Sequence, residues 1–367
     1  MAMTARERIL TCLAGEEPDK IPVCVYGGMT WSGGDMVSFD EPWTRRLMKR
    51  GMCLNSFASP HKPVFGTMGL DRHLENVKYT EITSVEKGIS KIRRIFETPV
   101  GTISEVLRES PTEGVPFGAK DEFLVKERSD WRVINYIFKG MLNKMAPNYD
   151  EFKRVEEELG DAGITFAYIG RTPYQRAWID LATLERTLID FDEKPEEIQE
   201  YIEIQRQLHT RIAEIAAESP ALFIDIMDHP TDITPPKYYR EYCIPFYEIY
   251  SKALDGTGKV LGIHSDGRFG HLKKEFADSS FKVIESYTVP PVGDVSLTEA
   301  KSLWPDKMLF VNCPPHLYFV EYEEIRKGYE SLADEWGSKK GILIENSEPP
   351  LAKGEMHLSA ALDALGY

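Results

Sequence analysis

The chain has 367 residues, of which 42% are hydrophobic, and a formal net charge of −15 at pH 7. Nucleic acid is a poor partner for such a chain, because phosphate binding needs a basic surface. No apolar run approaches the roughly 20 residues that span a membrane, and residues 1–20 lack a secretory pattern. We therefore expect a cytoplasmic protein that binds neither nucleic acid nor a membrane. Its five cysteines are scattered and odd in number, which argues against a disulfide framework.

The first half begins with a predicted amphipathic helix that ends at Gly15, followed by a strand over 21–26. Residues 77–110 then alternate polar and apolar side chains, with turn signals between the runs. Such alternation is typical of antiparallel strands. We expect this stretch to form a β insertion beside the main fold.

The second half alternates strand and helix signals. Strands are predicted over 165–170, 221–228, 259–264, 281–287, 307–312 and 341–346. Helices are predicted over 195–219, 235–254 with a kink at Pro245, 267–277, 296–304, 322–337 and 357–365. Repeated β-α units indicate a parallel sheet with helices outside.

These six strands, the strand over 21–26 and one more from the first half make eight. The sequence therefore predicts a TIM-type (β/α)8 barrel with an antiparallel β insertion and an N-terminal helical extension. We expect residues 1–367 to form a single domain. The sequence leaves the oligomeric state open, a homodimer included.

Chemically active side chains stand at the predicted strand ends, where barrels of this type carry their active sites. They include Asp225, Asp228, His264, Asp266 and Glu345. Carboxylates, an imidazole and a thiol at one rim indicate a divalent metal, since zinc accepts O, N and S ligands. Spacing allows Asp228, Cys243 and His264 as one ligand set, and His229 as an alternative ligand.

Several segments, in the same order along the chain, resemble the uroporphyrinogen decarboxylase superfamily. They are TARERILTCLAGEEPDKIPV, TPVGTI, DHPTDITPPKYYREYCIPFY, VLGIHSDG, PPVGDVSLTEAK and IENSEPPLAKGEMHLSAALDAL. The resemblance covers nearly the whole chain, and it implies a TIM-type barrel with a cleft at its C-terminal face.

Within that superfamily the decarboxylases hold a carboxylate-rich substrate with arginines after the first strand, where this chain has CVYGGMTWSGGD at 24–35. The thiol-methylating corrinoid enzymes carry His-X-Cys and a second Cys, where this chain has Asp266 and Ser347. The O-demethylating enzymes resemble it better, through a zinc pattern Glu-X14-Glu-X20-His. The intervals recur as Asp228-X14-Cys243-X20-His264, with the first two residue types changed.

The resemblance thus implies a zinc-dependent methyltransferase that demethylates a methoxylated, aryl methyl ether, substrate. The methyl group would pass to cobalt(I) of cobalamin carried by a separate corrinoid-binding protein. Zinc would polarise the ether oxygen, with Asp266 and Glu345 expected to orient ligands or deliver a proton. The residues expected to line the substrate pocket are Trp31, Tyr168, Arg171, Tyr174 and Tyr287.

Three alternatives remain at this stage. A corrinoid methyltransferase could use another donor or acceptor, such as a methylamine, a thioether or a thiol. A decarboxylase-like lyase is disfavoured by the missing arginines. A metal-free binding relative is kept open by the Asp and Cys departures from the zinc pattern.

Overall fold

The barrel predicted from the β-α rhythm is confirmed. A computed structural model describes residues 2–26, 30–31 and 34–35 (backbone only), 41–63, 70, 73–109, 119–347 and 353–367. Eight parallel strands close on themselves. In barrel order they are Val23–Tyr26, Ile342–Asn346, Met308–Asn312, Val283–Tyr287, Val260–His264, Phe223–Ile226, Gly163–Ile169 and Cys53–Ala58. The eighth strand, which the sequence left unassigned, is therefore Cys53–Ala58.

Helices surround the barrel. The α-helices are Ala5–Leu13, Pro42–Arg50, Asp130–Lys144, Tyr149–Leu159, Pro173–Arg176, Leu184–Glu193, Glu196–Glu218, Pro236–Tyr242, Ile244–Leu254, Lys273–Asp278, Leu297–Leu303, Tyr322–Trp336 and Gly354–Ala364. Short 3₁₀ or π turns lie at Gly160–Ala162, Ala177–Leu181, Gly270–Leu272 and Pro315–Phe319. Among the described residues, no helix combines the length and apolarity needed to cross a membrane.

The N-terminal helix Ala5–Leu13 lies at the end of the barrel where the strands begin. A capping box between Thr4 and Glu7 starts it. Arg6 donates a hydrogen bond to the carbonyl of Gly163, the first residue of a barrel strand. The apolar face of the helix packs against the barrel interior, so this end is closed and the opposite end is left for a site.

The predicted antiparallel insertion forms a four-stranded sheet. Its strands run in the order Lys78–Glu86, Ile89–Thr98, Gly101–Arg108 and Lys120–Glu122. The first three lie within the predicted range of 77–110, and the last lies beyond it. Two-residue hairpin turns connect the first three strands, which explains the regular alternation of the sequence.

The helix predicted over 235–254 is divided into Pro236–Tyr242 and Ile244–Leu254. Pro245 lacks a backbone N–H, so the helical hydrogen bond at this position cannot form. The break falls at Cys243, two residues before the proline, where φ is −112°. This break turns Cys243 toward the barrel, as its contacts show below.

The barrel interior has an apolar lower part and a polar upper part. Inward-facing residues such as Cys24, Phe166 and Phe310 fill the lower part together with the N-terminal helix. One pleat further along, the strands end in polar side chains. The polar residues thus lie at the C-terminal end of the barrel, which we call the mouth.

Candidate functional site

His264 is the last residue of its strand and points into the mouth. It lies beside Glu285 of the neighbouring strand, and its Nδ1 is 2.5 Å from Glu285 Oε2. Tyr26, across the barrel, donates to the other oxygen of Glu285. Because an ionised carboxylate only accepts hydrogen bonds, Nδ1 carries the proton. Nε2 is therefore the ring atom that could bind a metal once His264 has lost its second proton.

Two further residues join His264 and form the mouth cluster, defined as His229, His264 and Asp266. His229 Nδ1 is 2.9 Å from Asp266 Oδ1, and His264 Nε2 is 3.8 Å from Asp266 Oδ2. The two imidazole rings stack at 6.0 Å with an angle of 20°. One ligand atom from each residue lies within 4.8 Å of the others. All three side chains remain partly exposed.

The charges of the mouth cluster support one another. Burial disfavours the imidazolium of His264, but the Glu285 carboxylate outweighs it and raises the pKa of His264 to about 9. Burial would raise the pKa of Asp266. Its hydrogen bond to His229 and the charge of His264 outweigh that, and the pKa is lowered. Asp266 is thus a carboxylate that is ready to bind a cation.

Asp228 and Cys243 belong to a separate group, which we call the anchor cluster: Thr172, Asp228, Cys243 and Tyr247. The backbone N–H and the hydroxyl of Thr172 donate to Asp228 at 2.7 and 2.8 Å, and Tyr247 donates at 2.6 Å. The Thr172 hydroxyl oxygen lies 3.3 Å from Cys243 Sγ. All four side chains are completely buried, between the barrel and the helix Ile244–Leu254.

Burial controls the protonation of the anchor cluster. It raises the pKa of Asp228, although the hydrogen bonds from Tyr247 and Thr172 oppose the shift. It also raises the pKa of the Cys243 thiol, and the nearby Asp228 adds to this effect. Cys243 is therefore a thiol rather than a thiolate at neutral pH. A metal would have to displace its proton before binding.

Level with His264, and deeper in the barrel than His229 and Asp266, lies the polar layer, defined as Tyr26, Asn55, Asp225, Glu285 and Glu345. Asn55 donates to Glu345 at 2.8 Å, and the backbone N–H of Ser286 donates to it at 3.3 Å. Ser286 has a φ of 59° at a bulge in its strand, a strained conformation that turns this N–H inward. Burial, and then the neighbouring Glu285, raise the pKa values of Asp225 and Glu345.

The two candidate metal-ligand sets differ in fit. The mouth cluster offers two imidazoles and a carboxylate, a donor set that zinc accepts with a position left open. Glu285 fixes the His264 ring from behind, as carboxylates do for metal-bound imidazoles. Asp228, Cys243 and His264 do not meet the same 4.8 Å distance, and within the described ranges the mouth cluster alone does. The geometry favours the mouth cluster as the metal site.

The residues predicted to line the substrate pocket occupy different places. Arg171 is buried near the mouth, where it donates to the carbonyl of Met227 and lies 3.6 Å from Asp180. Tyr168 is half-buried and lies in the barrel strand Gly163–Ile169. Its ring lies 6.5 Å from that of Phe57. The side chain of Trp31 lies outside the described part of the chain.

Tyr174 and Tyr287 are completely buried in the shell between the strands and the helices. The ring of Tyr174 packs against Phe191. Tyr287 packs against Trp304 and donates to the carbonyl of Val295 at 2.6 Å. The structure thus gives both tyrosines packing partners outside the barrel interior.

Sequence reasoning did not single out Tyr26, Asn55, Thr172 or Tyr247. Tyr26 ends the first predicted strand, so the strand-end rule that selected His264 also applies to it. Tyr247 follows Cys243 by four positions, a spacing that places both on one side of a helix. Asn55 lies on the strand that the sequence did not locate.

Comparison with known proteins gives the family of the matched segment. The uroporphyrinogen decarboxylase (URO-D) family model matches residues 177–346. The match contains both clusters except Thr172, and the resemblance seen in the sequence is confirmed. No curated protein gives a significant match to the chain.

A solved structure gives a second comparison. The structure of a methyltransferase from Methanosarcina mazei is similar over 99% of this chain and 98% of that one. The TM-score is 0.58 and the sequence identity is 15%. At this identity the likeness is one of fold. The likeness in fold covers the whole chain, including the first half that the family model does not match.

Proposed function

We propose that this URO-D protein is a zinc-dependent methyltransferase that removes a methyl group from an aryl methyl ether. The acceptor would be cobalt(I) of a cobalamin carried by a separate corrinoid protein. The observation that carries the proposal is the mouth cluster: two imidazoles and a carboxylate within 4.8 Å at the open end of the barrel. The fold shared with a methyltransferase supports the reaction class.

The chain's own residues would divide the chemistry between them. His229, His264 and Asp266 would hold zinc, which supplies a Lewis acid for the ether oxygen. Glu285 keeps His264 oriented through Nδ1. Transfer of the methyl group to the acceptor would break the bond between the methyl carbon and the ether oxygen. The electron pair of that bond would stay on the oxygen. That oxygen then needs a proton.

Glu345 is the proposed source of this proton. Burial, and then Glu285 beside it, raise its pKa, which favours the protonated acid. It lies in the polar layer. After transfer, the product is a phenol and Glu345 is a carboxylate that Asn55 and the Ser286 N–H stabilise.

A methylated amine is the second candidate donor, and one observation favours it. Both carboxylate oxygens of Asp225 and the amide oxygen of Asn55 are buried without a hydrogen-bond partner among the described residues. Buried acceptors without donors are costly. A protonated methylamine would supply an N–H donor to the polar layer, and it would also bring a positive charge.

Metal content and methyl transfer together test the proposal. Purified wild type should contain about one zinc per chain, and His264→Ala should contain almost none. Wild type should methylate free cob(I)alamin from a methoxybenzoate, followed by visible absorbance, and the variant should not. Wild type that binds no zinc after reconstitution would overturn the proposal. Zinc with transfer from trimethylammonium alone would replace the ether by the amine.

A further inference from the structure

The outer strand of the insertion, Lys78–Glu86, has one open edge. Within the described part of the chain it pairs with Ile89–Thr98 and with no other strand. The backbone N–H and C=O groups along its other edge can therefore accept another strand. The strand is nine residues long, whereas strands commonly have about 5–6 residues.

This edge lacks most of the features that prevent pairing. Natural edge strands are usually short, or interrupted by proline or a bulge. This one contains no proline, and its register with the neighbouring strand is unbroken from Lys78 to Glu86. Two large apolar side chains of this strand are exposed, Ile82 at 49% and Val85 at 71%, as is Ile89 at 41%, the first residue of the neighbouring strand. The strand thus offers both backbone groups and apolar surface.

Its charges are arranged so that the strand complements itself. We propose that the open edge pairs with the same strand of a second copy of this chain, antiparallel, about a two-fold axis at Ile82. In this register Lys78 of each copy faces Glu86 of the other. Ile82 faces Ile82, Tyr79 faces Val85, and Thr80 faces Ser84. The eight strands of two insertions would then form one continuous sheet.

Other symmetric registers are poorer. Moving the axis to Ser84 places Glu86 opposite Ile82 and leaves Lys78 without a partner. Moving it to Thr80 places Lys78 opposite Ile82 and leaves Glu86 beyond the paired segment. Only the axis at Ile82 pairs all nine residues and both terminal charges. Opposite charges stabilise directly facing antiparallel positions, and like charges destabilise them.

A cysteine at the axis tests this arrangement. The native cysteines are all buried, so an introduced surface cysteine would report alone. In the proposed pair the two Ile82 Cα atoms lie about 4.5–5.5 Å apart, within disulfide range. The two Val85 residues lie six positions apart along the strands, about 20 Å. Val85→Cys is therefore a matched control at a more exposed position.

Under mild oxidation, Ile82→Cys should form a covalent dimer, while Val85→Cys should remain single chains. Equal cross-linking of both variants, or none of Ile82→Cys, would overturn the proposed register. Sedimentation equilibrium of the wild type should show a concentration-dependent dimer. A wild type that stays monomeric would overturn the dimer. Reduced methyl transfer to the corrinoid protein by Ile82→Lys would then assign this edge to that partner instead.

Charge reversal gives an independent check on the facing pair. Lys78→Glu and Glu86→Lys should each weaken the dimer, up to about tenfold, because each places like charges opposite one another twice. Together the two substitutions restore opposite charges across the axis and should recover much of the affinity. Their in-chain partners Glu97 and Lys91 form exposed ion pairs, which contribute little to stability. A double variant weaker than both single variants would contradict the pairing of Lys78 with Glu86.

Discussion

Asp228 and His229 are neighbours in sequence, yet they belong to the two different clusters. Asp228 is buried and accepts three hydrogen bonds from Thr172 and Tyr247. His229 lies at the mouth, about one-third exposed, with Asp266 as its partner. Asp228 already has hydrogen-bond donors for its carboxylate within the protein. The ligand atoms of the mouth cluster instead face one another, so that they can bind a cation. The anchor cluster therefore has the features of a structural support, and the mouth cluster those of the proposed metal site.

The comparison predicts that the two neighbours differ most in their effect on stability. Asp228→Ala removes the acceptor for two buried hydroxyls and a backbone N–H. Leaving these groups unpaired should cost about 3 kcal/mol or more in the free energy of unfolding. His229→Ala should change it by about 0.5 kcal/mol or less. Urea unfolding of metal-free protein measures both.

Equal losses of stability in these two variants would contradict the division into a structural support and a proposed metal site. A small effect of Asp228→Ala would be equally damaging, because it would mean that the three donors to this carboxylate find other partners. Asp228→Asn is a useful companion variant. It keeps one oxygen acceptor and nearly the same volume, so its loss should fall between those of the two alanine variants.

The zinc content should depend on the mouth cluster and not on the anchor cluster. His229→Ala removes one of the three proposed ligands in the mouth cluster and should lose most of the bound zinc. Cys243→Ser preserves the size of a residue that lies outside that cluster, and it should keep about one zinc per chain. Elemental analysis of the purified variants measures this. Zinc lost from Cys243→Ser and kept by His229→Ala would instead support the spacing-based set Asp228, Cys243 and His264.

Glu285 should affect the metal without binding it. Glu285→Gln keeps the shape of the side chain but weakens the hydrogen bond that fixes His264 Nδ1. Changes at such supporting carboxylates commonly lower metal affinity about 10–100-fold, as competition with a chelating dye would show. Glu345→Gln is the matched control in the same polar layer: it too neighbours Glu285, but its hydrogen bonds come from Asn55 and the Ser286 N–H rather than from His264. Equal loss of affinity in both variants would contradict a specific role for Glu285.

The sequence was sufficient for the barrel and for the strand ends. Local periodicity indicated the six strands of the second half and the helices between most of them, and a parallel barrel brings all C-terminal strand ends to one mouth. His264 and Glu345 do lie at the C-terminal ends of barrel strands, and their roles stay predictions. Asn55 could not be selected, since its strand lies in the first half, where the β-α rhythm is interrupted by the insertion.

The directions of Asp228 and His229 could not be predicted in the same way. Inward and outward alternation holds only within a strand, and this strand ends at Ile226. Beyond it the backbone turns, with the N–H of Asp228 donating to the carbonyl of Ile226. The X14 and X20 intervals fix sequence separations but not side-chain directions. Spacing alone therefore grouped Asp228 and Cys243 with His264, whereas the structure groups His229 and Asp266 with it.

The smallest expected effect concerns a single hydroxyl in the anchor cluster. Tyr247→Phe removes one donor to Asp228 and should lower the free energy of unfolding by about 1 kcal/mol. Tyr174→Phe is its matched control, because that tyrosine is equally buried but its hydroxyl has no hydrogen-bond partner among the described residues. Removing an unpaired buried hydroxyl should be neutral or slightly stabilising. If the two variants lose equal stability in thermal unfolding, packing rather than hydrogen bonding holds the anchor cluster together.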